Sequence, residues 1–412
     1  MRPLVFEKDP SFWYETLRVL GHIAYGGADF GEVAVTVERV AEGDRDGWHD
    51  AWRATADRVA AEARRSHAAG HRVSAHDAFL RASTYHRSAG FFLHGDTAGP
   101  HGDTAGPRAD AAHDEAVACF RAAAELSDLD IRPVEIPYGS TTLPGYLYRA
   151  GDGPGPVVVM HNGFDGSAEE MHFFAAEAMV RRGYHVLTFD GPGQPGPMRR
   201  EGLVFRPDWE NVVGPVLDFL LDRPAGEAIA DPGRVALLGA SMGGLLAPRA
   251  AAFEPRIAAL IAFDGVYDMG WKVTAVFDGD REAARAALAL PEADDAMAAL
   301  MAADPVTRWA VVHGMRVMGA STPRGYAAAL LDYHLRDGVA ERITCPTLVC
   351  SAAGDFAFAG QPEALYEHLT CDKTFAEFTA EEGADAHCQS GAQRLAMARI
   401  GDWLDTTFGS MR

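Results

Sequence analysis

Apolar positions change their spacing near Ile131, and this change divides the chain. From Ser11 to about Asp130 they recur every three or four residues, as in WHDAWRATADRVAAEARR, which is the period of an amphipathic helix. We therefore predict a helical N-terminal domain over residues 1–130. Beyond Ile131, a predicted hairpin (VEIPYGSTTLPGYLYRA) precedes short β-branched runs that alternate with helical stretches. This order is typical of a mostly parallel sheet covered by helices.

Six of the β-branched runs are predicted strands, and a polar residue ends or follows each of them. They are VVVM before Asn162, HVLTFD ending at Asp190, RVALLGA before Ser241, IAALIAFD ending at Asp264, PTLVCSA before Asp355 and FAEFTA before Glu381. Ligands of parallel sheets bind beyond the carboxyl ends of the strands. We therefore expect the functional residues where these runs end.

Two further segments interrupt this pattern. The residues between Asp264 and Pro346 include helical stretches such as DREAARAALAL and no convincing strand, which predicts a helical cap insertion over residues 266–340. The insertion would divide the sheet-containing core into residues 131–265 and 341–412, and with the N-terminal helices it could build a pocket over the strand ends. The alternative is that these helices only pack. The tandem heptapeptide HGDTAGPHGDTAGP in the N-terminal domain predicts a loop between helices.

The segment GASMGG places a serine between the predicted strand RVALL and the predicted helix LLAPRAAAF. A serine hydroxyl is a weak nucleophile at neutral pH, and a sharp turn lifts its oxygen out of the sheet toward a base. Glycines two residues before and two residues after the serine let neighbouring chain approach closely. Ser241 is therefore the candidate nucleophile.

The base is expected later in the chain than the nucleophile. His387, in EEGADAHCQSG, is the only one of the sixteen histidines that follows the last predicted strand. Asp355 supplies the acid that orients it, in the order Ser, Asp, His expected of α/β-hydrolases. Asp264 and Asp268 follow the preceding strand and are alternative partners. Cys388 adjoins the base but is expected to pack, because a neighbouring loop residue usually points away.

An acyl-transfer site also needs two backbone N–H groups that face the developing oxyanion. One is expected from Met242, which follows the nucleophile. The other is expected from the loop after VVVM, where the amide of Phe164 is the candidate. His161 and Asn162 then hold this turn and do not react.

Asp165 is the residue of the segment HNGFDGSAEE whose role is hardest to explain. An ionised carboxylate beside an oxyanion would oppose the charge being stabilised. A protonated carboxyl, kept neutral by burial and a neighbouring negative charge, could instead protonate a departing carbon or tautomerise a ketone. The alternative is that Asp165 caps a helix that begins near Ala168.

Five segments, HNGFDGSAEE, FDGPGQ, GASMGG, AAGD and EGADAHCQSG, resemble an α/β-hydrolase group. It contains the bacterial 2,6-dihydropseudooxynicotine hydrolase and the fungal yellowish-green heptaketide hydrolases, which shorten polyketide chains. The resemblance covers most of the chain, and HCQ-G is its most specific part. It implies an α/β-hydrolase fold with a mostly parallel central sheet, an N-terminal helical region and a helical cap insertion.

The resemblance also implies chemistry. Its members cleave carbon to carbon bonds beside a ketone, which implies Ser241, Asp355 and His387 as the catalytic triad and Asp165 as the matching acid near the oxyanion turn. The nicotine-pathway enzyme has a glutamate at the position of Asp165, so the aspartate looks more like the fungal polyketide branch. A homodimer is suggested only by analogy with these relatives.

Three functions fit these residues. The first is a serine-dependent hydrolase that cleaves a C–C bond of a β-diketone, aryl ketone or polyketide-type substrate, with Asp165 as the acid. The second is a carboxylesterase or lactonase with the same triad, in which Asp165 only caps. The third is a polyketide cyclase or acyl transferase, or a ligand-binding module without hydrolysis. The substrate in the enzyme readings is a small-molecule ketone or ester.

Composition bears on the partners, the cysteine-based sites and the location of the protein. The 412 residues carry a net charge of -21 without a dense basic cluster, which argues against nucleic acid as a partner. Five cysteines without a CxxC pair argue against a disulfide framework and a zinc site. No apolar run approaches the length of a membrane span, so a cytoplasmic protein without membrane partners is expected. The mechanism needs no cofactor and no metal.

Overall fold

The computed structural model describes residues 2–95, 102–222 and 228–409. Its strands are β1 (Asp130–Tyr138), β2 (Thr141–Arg149), β3 (Gly155–His161), β4 (His185–Phe189), β5 (Ala230–Ala240), β6 (Ala259–Phe263), β7 (Thr347–Ala352) and β8 (Lys373–Phe378). Its helices are α1 (Pro10–Gly21), α2 (Phe30–Val37), α3 (Arg45–Ala68), α4 (Arg72–Gly90), α5 (Gly102–Leu126), α6 (Glu177–Arg181), α7 (Pro195–Glu201), α8 (Glu210–Leu221), α9 (Gly243–Ala251), α10 (Trp271–Ala275), α11 (Arg281–Leu288), α12 (Glu292–Ala303), α13 (Pro305–Met318), α14 (Pro323–Leu330), α15 (Gln361–His368) and α16 (Gln393–Phe408).

Helices α1 to α5 precede the first strand, as the helical period predicts. Asp9 starts α1 by accepting hydrogen bonds from the backbone N–H groups of Ser11 and Phe12, which are otherwise unpaired at a helix N-terminus. Part of the tandem heptapeptide, residues 96–101, lies outside the described residues. Helix α5 begins at Gly102, within the second copy, so the predicted loop ends earlier than expected.

The eight strands form one sheet in the order β1-β2-β4-β3-β5-β6-β7-β8. The β1–β2 hairpin is antiparallel, and β2 joins β4 antiparallel. All pairs from β4 to β8 are parallel, which confirms the predicted mostly parallel sheet. Because parallel strands share one direction, the ends of β3, β5, β6 and β7 lie along the same edge of the sheet.

The core has two layers, one on each face of the sheet. Val158 and Met160 of β3 pack with α1 to α6 and α16 on one face, whereas Val157 and Val159 pack with α8, α9 and the insertion on the other. Side chains of a strand alternate between faces, and a strand buried on both faces reads as a continuous apolar run. This explains why VVVM shows no polar alternation.

Helices α10 to α14 lie between β6 and β7, where the sequence predicts the cap insertion. The insertion contacts the N-terminal helices directly. The indole Nε1 of Trp309 donates to the carbonyl of Phe91 at 3.3 Å, and Arg45 donates to the carbonyl of Pro305 at 3.0 Å. The two helical regions therefore meet over the carboxyl ends of the strands.

Within the described residues, the helices are each too short or too polar to cross a lipid bilayer.

Candidate active site

The nucleophile turn follows β5. Ser241 has a φ of 61°, a left-handed conformation that non-glycine residues rarely adopt without a functional reason, and its N–H donates to the carbonyl of Phe263 at 2.9 Å. A methyl group at Gly239 would lie 2.1 Å from the carbonyl oxygen of Gly243. Both observations fit the sharp strand-to-helix turn that the G-x-S-x-G pattern predicts.

The structure brings the three predicted triad residues together. The His387 Nε2 atom lies 2.9 Å from the Ser241 Oγ atom, and the His387 Nδ1 atom lies 2.9 Å from the Asp355 Oδ2 atom. The backbone N–H groups of Ala357 and Phe358 donate to the other carboxylate oxygen of Asp355. The acid is therefore anchored by the loop that follows β7, at the end of the strand where it is predicted.

A second carboxylate also faces the histidine. Asp264 is fully buried, and its Oδ2 atom lies 3.1 Å from the His387 Nδ1 atom. Asp268, the other alternative partner, instead pairs with Arg281 at 2.6 Å, so it does not serve the base. The sequence offered Asp355 and Asp264 as alternative partners of His387. In the structure one carboxylate oxygen of each lies within hydrogen-bond distance of the same Nδ1 atom.

The two carboxyl groups differ in their electrostatics. Burial raises the pKa of Asp264, although the hydrogen bond from His387 lowers it. Burial acts in the same direction at Asp355, but the charge of His387 and the hydrogen bonds from His387, Ala357 and Phe358 together outweigh it and hold the pKa of Asp355 below its ordinary value. Burial opposes the charged form of His387, yet the Asp355 carboxylate, together with the other neighbouring acidic groups and the hydrogen bond to Asp264, holds the pKa of the imidazole well above its ordinary value. Asp355 is accordingly the better partner for an imidazolium.

The loop that carries His387 is held by Asp264 and by α1. The backbone N–H of Cys388 donates to Asp264 Oδ2, and Gln389 Nε2 donates to Asp264 Oδ1 at 2.8 Å. The hydroxyl of Tyr14, on α1, donates to the carbonyl of His387 at 3.3 Å. Sequence reasoning missed Tyr14 and Gln389, and only the HCQ-G signature carried any signal for the second of them.

Cys388 lies closer to the base than expected. Its Sγ atom is 3.7 Å from the His387 Nε2 atom, so the side chain does not point away. Burial raises the pKa of this thiol to about 11, which keeps it neutral at physiological pH.

In the part of the chain that the structure describes, two groups could offer three metal ligands each: Asp264 with His387 and Cys388, and His86 with Glu115 and Cys119.

The oxyanion loop and the nucleophile turn touch through a glycine. A methyl group at Gly163 would lie 2.6 Å from the Met242 nitrogen and 2.7 Å from the Ala240 oxygen, so only glycine allows this approach. The backbone N–H groups of Phe164 and Met242 have no hydrogen-bond partner among the described residues. Unpaired amides on two adjoining turns are what an oxyanion hole requires.

Side chains from two other elements orient the Phe164 amide. The Nε2 group of buried Gln194 donates to the carbonyls of Asn162, at 2.5 Å, and Gly163, at 3.3 Å. The Gly163 carbonyl and the Phe164 N–H belong to one trans peptide and point in opposite directions. His313, on α13, lies with its Nε2 atom 2.9 Å from the carbonyl of Phe164, where it can only donate. Gln194 and His313 were not identified from the sequence.

His161 and Asn162 hold the turn, as expected. The Trp209 indole can only donate, so the His161 Nε2 atom accepts from it at 3.3 Å. The Nδ1–H group of His161 then donates to the carbonyl of Asn162 at 2.9 Å. Burial lowers the pKa of His161 to about 4, so this neutral tautomer persists at physiological pH. The Asn162 side chain accepts from the N–H of Gly163 at 2.7 Å.

Asp165 forms an ion pair, which contradicts both sequence-based accounts of it. Its Oδ1 atom lies 2.9 Å from Arg18 Nη1 and 3.8 Å from Arg87 Nη2. Burial favours the neutral acid, but the two guanidinium groups outweigh burial and lower the pKa of Asp165, so the expected protonated state is wrong. The capping alternative also fails, because the N–H of Ala168 donates to Asp190 at 2.7 Å.

The arginines belong to a buried ionic cluster between α1, α4 and the segment before α6. Arg18 Nε and Nη2 donate to the two carboxylate oxygens of Glu170, at 2.7 and 2.5 Å. Arg87 Nη1 donates to Glu15 at 2.6 Å. Sequence reasoning assigned Glu170 no special role and did not identify Arg18 or Arg87, because nothing local marks a partner that lies 147 residues away from Asp165.

A cavity of about 850 Å³, including its opening to solvent, adjoins this cluster. It lies between α4, α5, α13 and the loop after β3, and Phe164 and Asp165 form part of its wall. The predicted pocket under the two helical regions is therefore present. Since Phe164 also carries a candidate oxyanion amide, the cavity adjoins the loop after β3 that would supply this amide.

Known proteins share this architecture. A sequence model of the alpha/beta hydrolase family matches residues 157–400, and a model described as FrsA-like esterase matches residues 7–269. The chain is 35% identical to 20-hydroxy-prefusarin hydrolase FUS2 of Gibberella moniliformis, over 99% of each chain. It is 34% identical to hydrolase LUC6 of a Fusarium species, over 97% of each chain. The crystal structure of 2,6-dihydroxy-pseudo-oxynicotine hydrolase has the same fold, with a TM-score of 0.69 at 23% identity, over 94% of this chain and 95% of that one.

Proposed function

The chain belongs to the α/β-hydrolase family, and on that premise we propose that it is a serine-dependent hydrolase that cleaves a C–C bond beside a ketone. The substrate would be a β-diketone, an aryl ketone or a polyketide-type ketone. The observation that carries this proposal is the Asp165 carboxyl in the cavity wall, paired with Arg18 at 2.9 Å and next to Phe164, whose amide is the oxyanion candidate. Plain ester hydrolysis has no use for a carboxylate at that position.

The acyl-transfer half of the mechanism uses the triad. Ser241 Oγ attacks the carbonyl carbon while His387 Nε2 accepts the hydroxyl proton, and Asp355 orients the resulting imidazolium. The amides of Phe164 and Met242 stabilise the negative oxygen of the tetrahedral intermediate. Collapse of the intermediate leaves an acyl group on Ser241. A water activated by His387 then releases the carboxylic acid.

Asp165 is proposed to transfer protons on the half of the substrate that leaves. As a carboxylate it accepts a proton from the enol form of a β-diketone and returns it to the carbon between the two carbonyls. This tautomerisation creates the ketone that Ser241 can attack and the bond that can break. The electron pair of that bond leaves as an enolate, which receives the proton held by His387. Asp165 is therefore proposed as a base first, in contrast to the permanently protonated acid that the sequence suggested.

A carboxylesterase is the second candidate. The match of residues 7–269 to the FrsA-like esterase model favours it. The names of the relatives FUS2 and LUC6 say that they are hydrolases but not which kind of bond they break. The triad would be the same in both. The two functions differ in whether Asp165 is needed.

The first experiment tests the nucleophile by intact-mass spectrometry after treatment with a fluorophosphonate. Wild type and Asp165→Asn are each expected to gain one adduct, because both retain the Ser241 hydroxyl. Ser241→Ala is expected to gain none. A wild-type protein that stays unlabelled while the reagent has access would overturn the serine hydrolase proposal.

The second experiment separates C–C hydrolysis from ester hydrolysis. Asp165→Asn is expected to lower kcat/KM for a β-diketone by about 100-fold to 10,000-fold, the usual contribution of a general base, while an activated ester is still turned over. Asp152→Asn, an exposed aspartate, is the matched control and should change neither rate. Equal losses on both substrates would favour the esterase. Incorporation of oxygen from labelled water into the acid product distinguishes hydrolysis from cyclisation or transfer.

A further inference from the structure

Three potential metal ligands meet between α4 and α5, away from the candidate triad. His86 lies on α4, and Glu115 and Cys119 lie about one turn apart on α5. One ligand atom from each side chain lies within 4.8 Å of the other two. None of these residues is among those that line the cavity. Because residues four apart on a helix share a face, α5 presents two ligands to the histidine.

The imidazole of His86 lacks a partner for one of its nitrogen atoms. His86 is 2% exposed, and among the described residues its Nε2 atom has no hydrogen-bond partner. The Oδ1 atom of Asp57, on α3, lies 3.9 Å from it, which is beyond hydrogen-bond distance. A buried polar atom without a partner costs free energy, and the Nε2 atom of a neutral imidazole is a common metal ligand.

The packing of α4 on α5 fixes the two buried ligands relative to each other. The hydroxyl of Ser83 donates to the carbonyl of Ala116 at 2.8 Å, and these residues lie three positions before His86 and Cys119, respectively. Cys119 is itself 2% exposed. Ligands on packed helices hold their geometry more precisely than ligands on loops, so the nitrogen and the sulfur are preorganised.

The two carboxylates connect this buried pair with solvent. The side chains of Glu115 and Asp57 are 50% and 58% exposed, so an ion can enter from their side. The Glu115 Oε2 atom pairs with Arg64 at 3.2 Å, an exposed contact that costs little to give up. Both carboxylates can therefore turn toward the buried pair, to the separation of about 3.5 Å that tetrahedral bonds of about 2.0 to 2.3 Å require.

We propose that His86, Glu115 and Cys119 bind Zn²⁺ or a similar transition-metal ion, with Asp57 as the fourth ligand, and that the ion joins α3, α4 and α5. Nitrogen and sulfur ligands suit Zn²⁺, whereas Mg²⁺ and Ca²⁺ take oxygen ligands. The Cys119 thiol gives its proton to solvent as it binds, because the thiolate is the ligand. The site is structural, since the protein fills all four positions.

This site has no sequence signature because its ligands stand on three helices. The missing CxxC pair argues only against the zinc sites that such pairs build. Since no ligand belongs to the candidate triad, the proposal does not depend on the proposed function.

The direct test titrates Co²⁺ into the full-length protein after treatment with a chelator. One equivalent is expected to give the thiolate-to-cobalt charge-transfer band and the visible bands of tetrahedral coordination, and one equivalent of Zn²⁺ should abolish them. Cys119→Ser is expected to lack the charge-transfer band. Cys388→Ser, from the other group of possible ligands, is the matched control and should keep it. A wild-type protein without the band, or a band lost only in Cys388→Ser, would overturn the proposal.

A substitution at an exposed ligand avoids disturbing the core. Glu115→Ala is expected to weaken Zn²⁺ binding by about tenfold to 100-fold, since even groups that only support a ligand are worth this much. Competition with a chelating dye measures the affinity. Glu125→Ala, at another exposed glutamate of α5, should bind Zn²⁺ as wild type does. Equal affinity of Glu115→Ala and wild type would remove Glu115 from the site and contradict the proposal.

Thermal unfolding tests the structural role. Zn²⁺ is expected to raise the unfolding midpoint of wild type and of Glu125→Ala, because an ion held by the folded chain stabilises it. The rise should be smaller in Glu115→Ala. The same rise in all three proteins would mean that Zn²⁺ acts elsewhere on the chain, and the proposed site would be wrong.

Discussion

At the scale of single residues, His387 faces two carboxylates. Asp264 and Asp355 lie 3.1 and 2.9 Å from the same Nδ1 atom, but Asp264 also accepts hydrogen bonds from Cys388 and Gln389. Asp264→Asn is expected to slow fluorophosphonate labelling by about tenfold to 100-fold, the worth of a hydrogen bond to a charged group. Asp355→Asn should cost about 10,000-fold, as removal of a triad acid does.

The double variant decides whether Asp264 acts on the histidine or only on its loop. If Asp264 partly replaces Asp355, the combined variant loses more than the product of the two single fold-losses, whereas independent roles give that product, and labelling rates of the four proteins measure the difference. An Asp264→Asn protein that labels at the wild-type rate would remove Asp264 from the mechanism. Circular dichroism of each variant checks that the fold is retained.

At the scale of elements, α1 is bound to the segment before α6 by one buried guanidinium. The Arg18 side chain is 5% exposed and pairs with Glu170 and Asp165. Arg18→Met leaves both carboxylates without their main partner, and we expect the free energy of unfolding at neutral pH to fall by about 3 to 5 kcal/mol, as for a broken buried ion pair. Urea titration measures this change.

Two further variants show whether the loss of the buried charge pairs causes the fall in the free energy of unfolding. Arg39→Met, at an exposed arginine of the same N-terminal region, should have little effect on stability. Adding Glu170→Gln to Arg18→Met should recover part of the loss, because it removes one of the two carboxylates that have lost Arg18 and share only Arg87. A loss below about 1 kcal/mol for Arg18→Met, typical of surface pairs, would mean that this contact does not hold α1 in place.

At the scale of the whole molecule, buried neutral histidines make stability depend on pH. Burial lowers the pKa of His22 to about 3 and that of His161 to about 4. Unfolded histidines titrate near pH 6.5, so below that pH the unfolded chain binds more protons than the folded one. The free energy of unfolding is therefore expected to fall as the pH falls from about 6.5 toward 4, by about 1.4 kcal/mol per pH unit for each histidine.

Replacing one of these histidines tests the sign and the size of the effect. His22→Gln does not titrate and should flatten the decline between pH 6.5 and 4.5 by about 1.4 kcal/mol per pH unit, as measured by urea unfolding at several pH values. His67→Gln, at an exposed histidine, serves as the control and should leave the slope unchanged. A His22→Gln slope equal to that of wild type would contradict the neutral buried state.

Much of the fold and of the reacting centre can be read from local patterns. The runs VVVM and RVALLGA predict β3 and β5 because a strand buried on both faces must be apolar throughout. The turn around Ser241 is equally local, since its left-handed backbone and close packing need glycines at fixed offsets. Chain order then selects Asp355 and His387, which the structure brings to hydrogen-bond distance of each other.

The charge of Asp165 and the shape of the cavity beside it were decided only by the tertiary structure. Asp165 is charged because Arg18 and Arg87, from two distant helices, lie beside it, and a pKa depends on charges within a few ångströms, wherever they stand in the chain. The second carboxylate at His387 and the stack of Phe91 on Trp309 likewise join residues from separate regions. The sequence alone determined the fold, the candidate nucleophile and the order of its candidate partners, because each has a local pattern; packing decided the state of Asp165 and the shape of its cavity, because both arise from contacts between remote segments.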